Sequence, residues 1–140
     1  MRVVEVEAER TRELRARVLR PGQRADEVHF ATDDIPGTFH LAAEDDEGAV
    51  IGIVSFVPRE DGWQLRSMAV DPAHEGRGIG RLLVEDGVAR LRARGEERLW
   101  CNARDPAIGF YQALGWRICG PGFVDAELGI PHHPMELPLS

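Results

Sequence analysis

Residues 68–83 read MAVDPAHEGRGIGRLL, and this stretch decides the fold. An apolar strand end, MAV, runs into the breaker Asp71-Pro72, then a glycine-spaced turn, then an apolar run that opens a helix. Glycine is the poorest ordinary helix former, yet Gly76, Gly78 and Gly80 stand where a helix begins. The first N–H groups of a helix have no partner within it, and the helix dipole adds partial positive charge there. Glycines let an anion reach such groups, and Arg77 and Arg81 bring mobile positive charge beside them. A turn that binds nothing would need one glycine. Three favour an anionic ligand group, most simply a phosphate.

Upstream of the turn the chain reads as strands. RVVEVE alternates, ERTRELRARVLR places Leu14, Val18 and Leu19 at helical spacing, and Pro21-Gly22 stops that helix. Residues 21–37 read as loop with room for a helical turn. TFHLAAE, AVIGIVSFVP and WQLRSMAV follow as three strands joined by DDEG and REDG, loops short enough for an antiparallel meander. Downstream, Leu83, Val84, Val88 and Leu91 form one helical stripe closed by Gly95. RLWCNA reads as a buried strand. DPAIGFYQALG reads as a short helix with Asp105 as candidate N-cap, Pro106 at its first position and Gly115 past its end. WRICG is a strand. The tail reads as irregular through PGFVDAELGIPHHP, with a closing strand at MELPL. The order β-α-β-β-β-α-β-α-β is a single α/β domain over residues 1–140, with one mixed sheet and helices packed on it.

Composition narrows the function. Hydrophobic content of 43% and charged content of 29% are those of a globular protein. A net charge of −7 argues against a nucleic-acid binder. No apolar run has the length of a membrane span. The N-terminus lacks the character of a signal peptide, which makes the cytoplasm the expectation. Cys101 and Cys119 read as reduced thiols of the core. All 17 basic residues are arginine, an expected consequence of codon usage.

The absence of lysine excludes a P-loop, Gly-x-x-x-x-Gly-Lys-Ser/Thr. A dinucleotide fingerprint, Gly-x-Gly-x-x-Gly, fails from either start, because Arg81 or Leu83 holds the third slot. The turn instead resembles the pyrophosphate loop of the GNAT N-acetyltransferases, Arg/Gln-x-x-Gly-x-Gly/Ala after a strand and a Pro-containing turn. Glu75 stands in the Arg/Gln slot. NARDPAIGFYQALGW resembles a second family segment. GFVDAELGIPHHPMEL, with His40-Leu41 before the meander, is similar to the ElaA-like branch.

The resemblance implies the acyl-CoA N-acyltransferase fold. This is a mixed, mostly antiparallel sheet flanked by helices, whose central parallel strands, RSMAV and LWCNA, splay apart. It implies acetyl-CoA as co-substrate, with its diphosphate on Glu75, Gly76, Arg77, Gly78, Ile79, Gly80 and Arg81. Backbone groups of Met68, Ala69 and Val70 would take its pantetheine arm, one N–H near Met68 or Ala69 facing the developing oxyanion. Asn102 is a further cofactor contact or a turn residue. Tyr111 would protonate the departing thiolate, with Phe110 the better core residue. An amine would attack directly after losing a proton. Gln64 and Arg66 cannot serve as base, which leaves Asp33, Asp34, His40, Asp125, His132 and His133. Of these, His40 reads better as a hydrogen-bonded core residue. Asp33, Asp34, His132 and His133 are the candidate acceptor-binding residues. His132 and His133 beside Asp125 and Glu127 do not have metal-site spacing. The acceptor is expected to be a small-molecule amine or a peptide N-terminus, and the acidic surface would favour a cationic one. A homodimer through the C-terminal strands is a family-level expectation. The alternatives are an acyl-CoA sensor without turnover and a module for another phosphorylated ligand.

Overall fold

The meander is present in the computed structural model, which describes residues 1–140. Strand β1 (Arg2–Val6) pairs antiparallel with β2 (Phe39–Glu44), β2 with β3 (Val50–Arg59), and β3 with β4 (Gly62–Val70). The β2–β3 turn is held by Asp45, whose Oδ1 accepts from the backbone of Glu47 and Ala49, each at 2.9 Å. Helix α2 (Ile79–Ala93) carries the chain over to β5 (Arg98–Arg104), which runs parallel to β4. Helix α3 (Ile108–Ala113) then leads into the C-terminal strands.

Side-chain alternation sorts the strands into two faces. Val54, Phe56, Trp63, Leu65 and Leu99 pack with Leu83, Val84, Val88 and Leu91 of α2, the predicted stripe. Leu83 and Leu91 are fully buried, and truncating either to alanine would cost about 2–5 kcal/mol. The helix lies close because Gly87 leaves room for a ring: a Cβ there would stand 2.0 Å from Phe56. On the opposite face Leu14 packs with Ala42, Ile53 and Ala69. His40 is buried there, hydrogen-bonded to Ser55 Oγ at 2.7 Å, as expected of a core histidine.

Four local expectations change. The first helix is a 3-10 turn (Ala8–Thr11), one α-turn α1 (Arg12–Leu14) and a π-turn (Arg15–Leu19) closed by the Arg20 N–H on the Arg15 carbonyl at 2.9 Å. This wide turn buries both Leu14 and the Arg15 side chain. Asp105 does not cap α3, because its carboxylate bonds His133 Nδ1 at 2.7 Å. Cys119 is exposed, whereas Cys101 is buried and its thiol is pushed up to about 12 by desolvation, with Cys119 a lesser cause. The tail is ordered sheet. β8 (Pro131–Pro138) pairs with β5 along its length, while β6 (Arg117–Ile118) and β7 (Phe123–Val124) share its outer edge. The strand order is β1-β2-β3-β4-β5-β8-β6.

β4 and β5 pair at only two positions, Trp63 with Leu99 and Gln64 with Trp100. Beyond them the strands part. The β3–β4 register explains why. Between the pairs Ile53–Ala69 and Ser55–Arg66, β4 carries one residue more than β3, a bulge centred on Ser67. Ser67 has φ 56°, and no other non-glycine residue has positive φ. No helix is long and apolar enough to cross a membrane.

Candidate active site

The parted strands open a cleft of about 250 Å3 between the two faces of the sheet. The glycine turn lies past the end of β4, at the start of α2 and outside the residues that line the cleft. Asp71 ends β4 and caps the following 3-10 turn (Pro72–His74), accepting from Ala73 N at 3.0 Å. Arg17 holds Asp71 from the first helical segment at 3.2 Å. Its hydrogen bond, with that of Ala73, keeps the Asp71 carboxyl below the usual range. Gly76 (φ 77°) and Gly78 (φ 76°) then turn left-handed, and α2 starts at Ile79 with no side-chain cap. The backbone N–H groups of residues 76–81 make no hydrogen bond within the protein. A Cβ on Gly76 or Gly78 would enter open space, so the glycines are needed for backbone conformation and for access.

Gly80 has a different role from the one its spacing implies. It is helical, and a Cβ there would lie 3.4 Å from the Phe110 ring and 3.7 Å from Val70 Cγ2. It seats α3 against α2. Arg81 is tied to Glu85 at 2.7 Å and Arg77 to the His74 ring at 2.8 Å, while the Glu75 side chain is exposed and unengaged. Six free donors in one turn form a cradle that fits a diphosphate.

Along the β4 wall, Met68 lines the cleft, Ala69 is buried beneath it, and Val70 stands beside Gly80. Tyr111 enters from α3. Its ring packs on Trp116 (5.0 Å between centroids) and edge-on to Phe110 (5.1 Å). Tyr111 is the more buried of the Phe110–Tyr111 pair, the reverse of the expected packing, and still reaches the cleft. Burial, with a smaller contribution from Cys101, pushes the phenol well above its ordinary value. It stays protonated and makes no hydrogen bond within the protein.

The far side of the cleft is built from side chains. Asn102 and Arg104 project from β5 on the face opposite Cys101, and His132 is the strand partner of Arg104. His132 stacks on Phe123 at 5.5 Å and donates its Nδ1 proton to the Ile130 carbonyl at 2.8 Å. That bond fixes the tautomer and leaves the Nε2 lone pair free when the ring is neutral. Arg66 reaches the cleft from β4, and Arg20 and Phe30 from the segments before β2. Asp125 stands at the rim. Its Oδ1 accepts from Leu128 N at 2.9 Å and Glu127 N at 2.8 Å, which holds its carboxyl below the usual range.

Three expected acceptor contacts lie elsewhere. Asp33 is buried in a two-pronged pair with Arg15, at 2.6 and 2.8 Å. Burial, the largest single influence, would raise its carboxyl, but the Arg15 hydrogen bonds, the Phe30 N–H and the Arg15 and His40 charges together outweigh it and hold the group lowered. Asp34 is exposed and bonded to His29 at 2.9 Å. His133 projects to the other face, onto Asp105. The cleft residues that the sequence does not announce are Arg20, Phe30, Arg104 and Phe123. Nothing marks two of seventeen arginines or two isolated phenylalanines before the chain is folded.

Comparison with known proteins agrees with this geometry. The profile of the acetyltransferase (GNAT) family matches residues 4–116. The N-acetyltransferase YitI of Bacillus subtilis, itself uncharacterized, is 32% identical over 130 residues, covering 88% of this chain and 87% of YitI. Among solved structures, the ribosomal-protein-S18-alanine N-acetyltransferase of Escherichia coli superposes with a TM-score of 0.81 at 21% identity, over 99% of this chain and 94% of that one. An aminoglycoside 6'-N-acetyltransferase complexed with coenzyme A superposes with a TM-score of 0.77 at 17% identity, over 100% and 98%. These likenesses identify the family and not a branch within it. With the parted sheet and the open glycine turn, they establish that the chain belongs to the GNAT acetyltransferase family.

Proposed function

We propose that the protein transfers the acetyl group of acetyl-CoA directly to an amine, a small molecule or a peptide N-terminus, in the cytoplasm. The observation that carries this reading is the row of unpartnered N–H groups at residues 76–81 beside the parted β4 and β5. Bound there, acetyl-CoA supplies an activated thioester. Gly76, Gly78 and the first turn of α2 hold its diphosphate. The β5-facing backbone of Met68, Ala69 and Val70 has no strand partner and takes the pantetheine amides as an added strand would. An N–H at Met68 or Ala69 stabilises the charge that develops on the thioester oxygen. His132 Nε2 accepts the proton of the incoming amine. As the C–N bond forms and the C–S bond breaks, Tyr111 gives its proton to the departing sulfur. Ser67 positions these groups, since its bulge turns β4 away from β5.

Calorimetry with acetyl-CoA, CoA and ATP, followed by thiol release over an amine panel, tests the reading. Acetyl-CoA and CoA should bind and ATP should not compete with them. Tight binding of ATP alone would remove the acetyltransferase reading. Binding of acetyl-CoA with no thiol released from any amine would leave an acyl-CoA sensor.

A further inference from the structure

The far wall of the cleft carries more positive charge than its surroundings allow for. In a chain of net charge −7, the cleft is lined by Arg20, Arg66 and Arg104 against a single acid, Asp125. Most arginines elsewhere are matched to acids, among them Arg2 and Arg10 to Glu44, Arg15 to Asp33, Arg90 to Asp86, and Arg98 and Arg117 to Glu136. Arg59, Arg77, Arg92 and Arg94 lack an acid but are met by Gln64, His74, the Leu139 carbonyl and the Phe39 ring. The three cleft arginines have no carboxylate within 4.0 Å; Arg20 bonds only the neighbouring Leu19 carbonyl, at 3.5 Å. Arg66 makes no hydrogen bond, and its Nε is buried without a partner. A guanidinium half out of water with its donors unmet is costly unless a ligand meets them. The surroundings make this more acute. Burial first, then Arg59, Arg20 and Arg15, lower the Arg66 pKa, and only Asp33 acts the other way. Asp33 is already taken by Arg15, and Asp125 by its own loop.

We infer that the acceptor of this enzyme is an amine that also carries an oxyanion, a carboxylate or a phosphate, bound by Arg66 with Arg20 and Arg104 beside it. The inference rests on the acetyl-transfer reading and names the substrate class of that site. A planar guanidinium fork matches two oxygens of such a group, and the cluster repels the polycations that the acidic surface would otherwise attract. Phe30 and Phe123 supply apolar walls, so the body of the acceptor is compact and part apolar.

Matched acceptors test it: an amino acid against its amide and its decarboxylated amine, phosphoethanolamine against ethanolamine, and spermidine. The oxyanion-bearing member of a pair should have the higher kcat/KM by about 10- to 100-fold. Whether the carboxylate or the phosphate pair shows the larger ratio identifies the anion. Arg66→Gln should collapse that ratio towards one with acetyl-CoA affinity unchanged, and Arg66→Lys should restore part of it. Equal or better turnover of the uncharged partners or of spermidine would overturn the inference, as would an undiminished ratio in Arg66→Gln. A readout without turnover separates this failure from that of the acetyl-transfer reading. The N-acetyl amino acid should bind by calorimetry and lose affinity in Arg66→Gln even if no amine reacts. Failure of the wild type to bind either the N-acetyl amino acid or N-acetylphosphoethanolamine would end the proposal.

Discussion

The two sides of the parted strands are built from different materials. At the start of α2 the molecule presents backbone: free N–H groups at residues 76–81, opened by Gly76 and Gly78. In the cleft it presents side chains from distant segments, Arg20, Arg66, Arg104, Phe123 and His132. Backbone is the same for every residue type, so a site made of it suits a ligand part that does not vary. Side chains distinguish, so the opposite wall suits the part that does. The co-substrate belongs to the first wall and the choice of acceptor to the second.

The sharpest way to break this division is Gly78→Val. Position 78 requires φ 76°, which a β-branched residue resists, and a side chain would stand in the open space over the turn. Acetyl-CoA affinity should fall by at least about 1000-fold, roughly 4 kcal/mol, with the circular dichroism of the fold retained. Gly80→Ala is the control, since that position meets Phe110 in near-normal contact and should keep most of the affinity. If calorimetry finds Gly78→Val binding as tightly as wild type, the diphosphate lies elsewhere.

Next in size is a change that turns a matched arginine into an unmatched one. Arg15 and Arg66 lie on the same face of the sheet, one paired and one free. Asp33→Asn leaves the Arg15 charge buried without its acid and should cost about 3 kcal/mol in denaturant unfolding. The wild type should show the same dependence with pH. The Asp33 carboxyl is lowered from 3.8 in the folded protein, so its stabilisation is complete above that value. It is lost as pH falls through the lowered one. An Asp33→Asn variant as stable as wild type would mean that the pair is held by its surroundings and contributes nothing.

These two variants also mark how far the sequence could be read. The glycine turn was legible because its function needs only local features: φ, access and a helix start, all written in a few consecutive residues. The meander and α2 were legible from period and short loops. The acceptor wall was not, because residues 20, 66, 104 and 132 meet only after the strands pair, and an arginine carries no mark of whether an acid will find it. Asp33 misled for the same reason, since its partner is eighteen residues away on an irregular helical turn. The PHHP strand was missed because two prolines argue against a ladder. The structure admits Pro134 by placing it between the short pairings of β6 and β7, opposite Asn102.

Tyr111→Phe probes where the two walls meet. The hydroxyl makes no hydrogen bond within the protein, and the ring packs on Trp116 and Phe110, so removing one oxygen should leave stability nearly unchanged. Turnover should drop about 10- to 100-fold while acetyl-CoA affinity changes less than twofold. Unchanged kcat would leave Tyr111 a packing residue.

The smallest effect expected is at the hinge of the comparison, Ser67. The two sides of the cleft exist because β4 leaves β5 after Gln64, and the bulge that turns it holds Ser67 at φ 56°. Glycine would remove that strain, worth about 1 kcal/mol, but would add unfolded-state entropy of nearly the same size. Ser67→Gly should therefore shift the unfolding midpoint by less than about 1 kcal/mol in either direction, with kcat lowered only a few-fold. Ser67→Val, which resists positive φ, should be worse in both respects. Its loss of kcat should exceed its loss of acetyl-CoA affinity, because the diphosphate turn lies beyond the bulge and does not depend on it. If Ser67→Val instead lost affinity and turnover in equal measure, the bulge would serve the fold as a whole, and the two walls would not be separable.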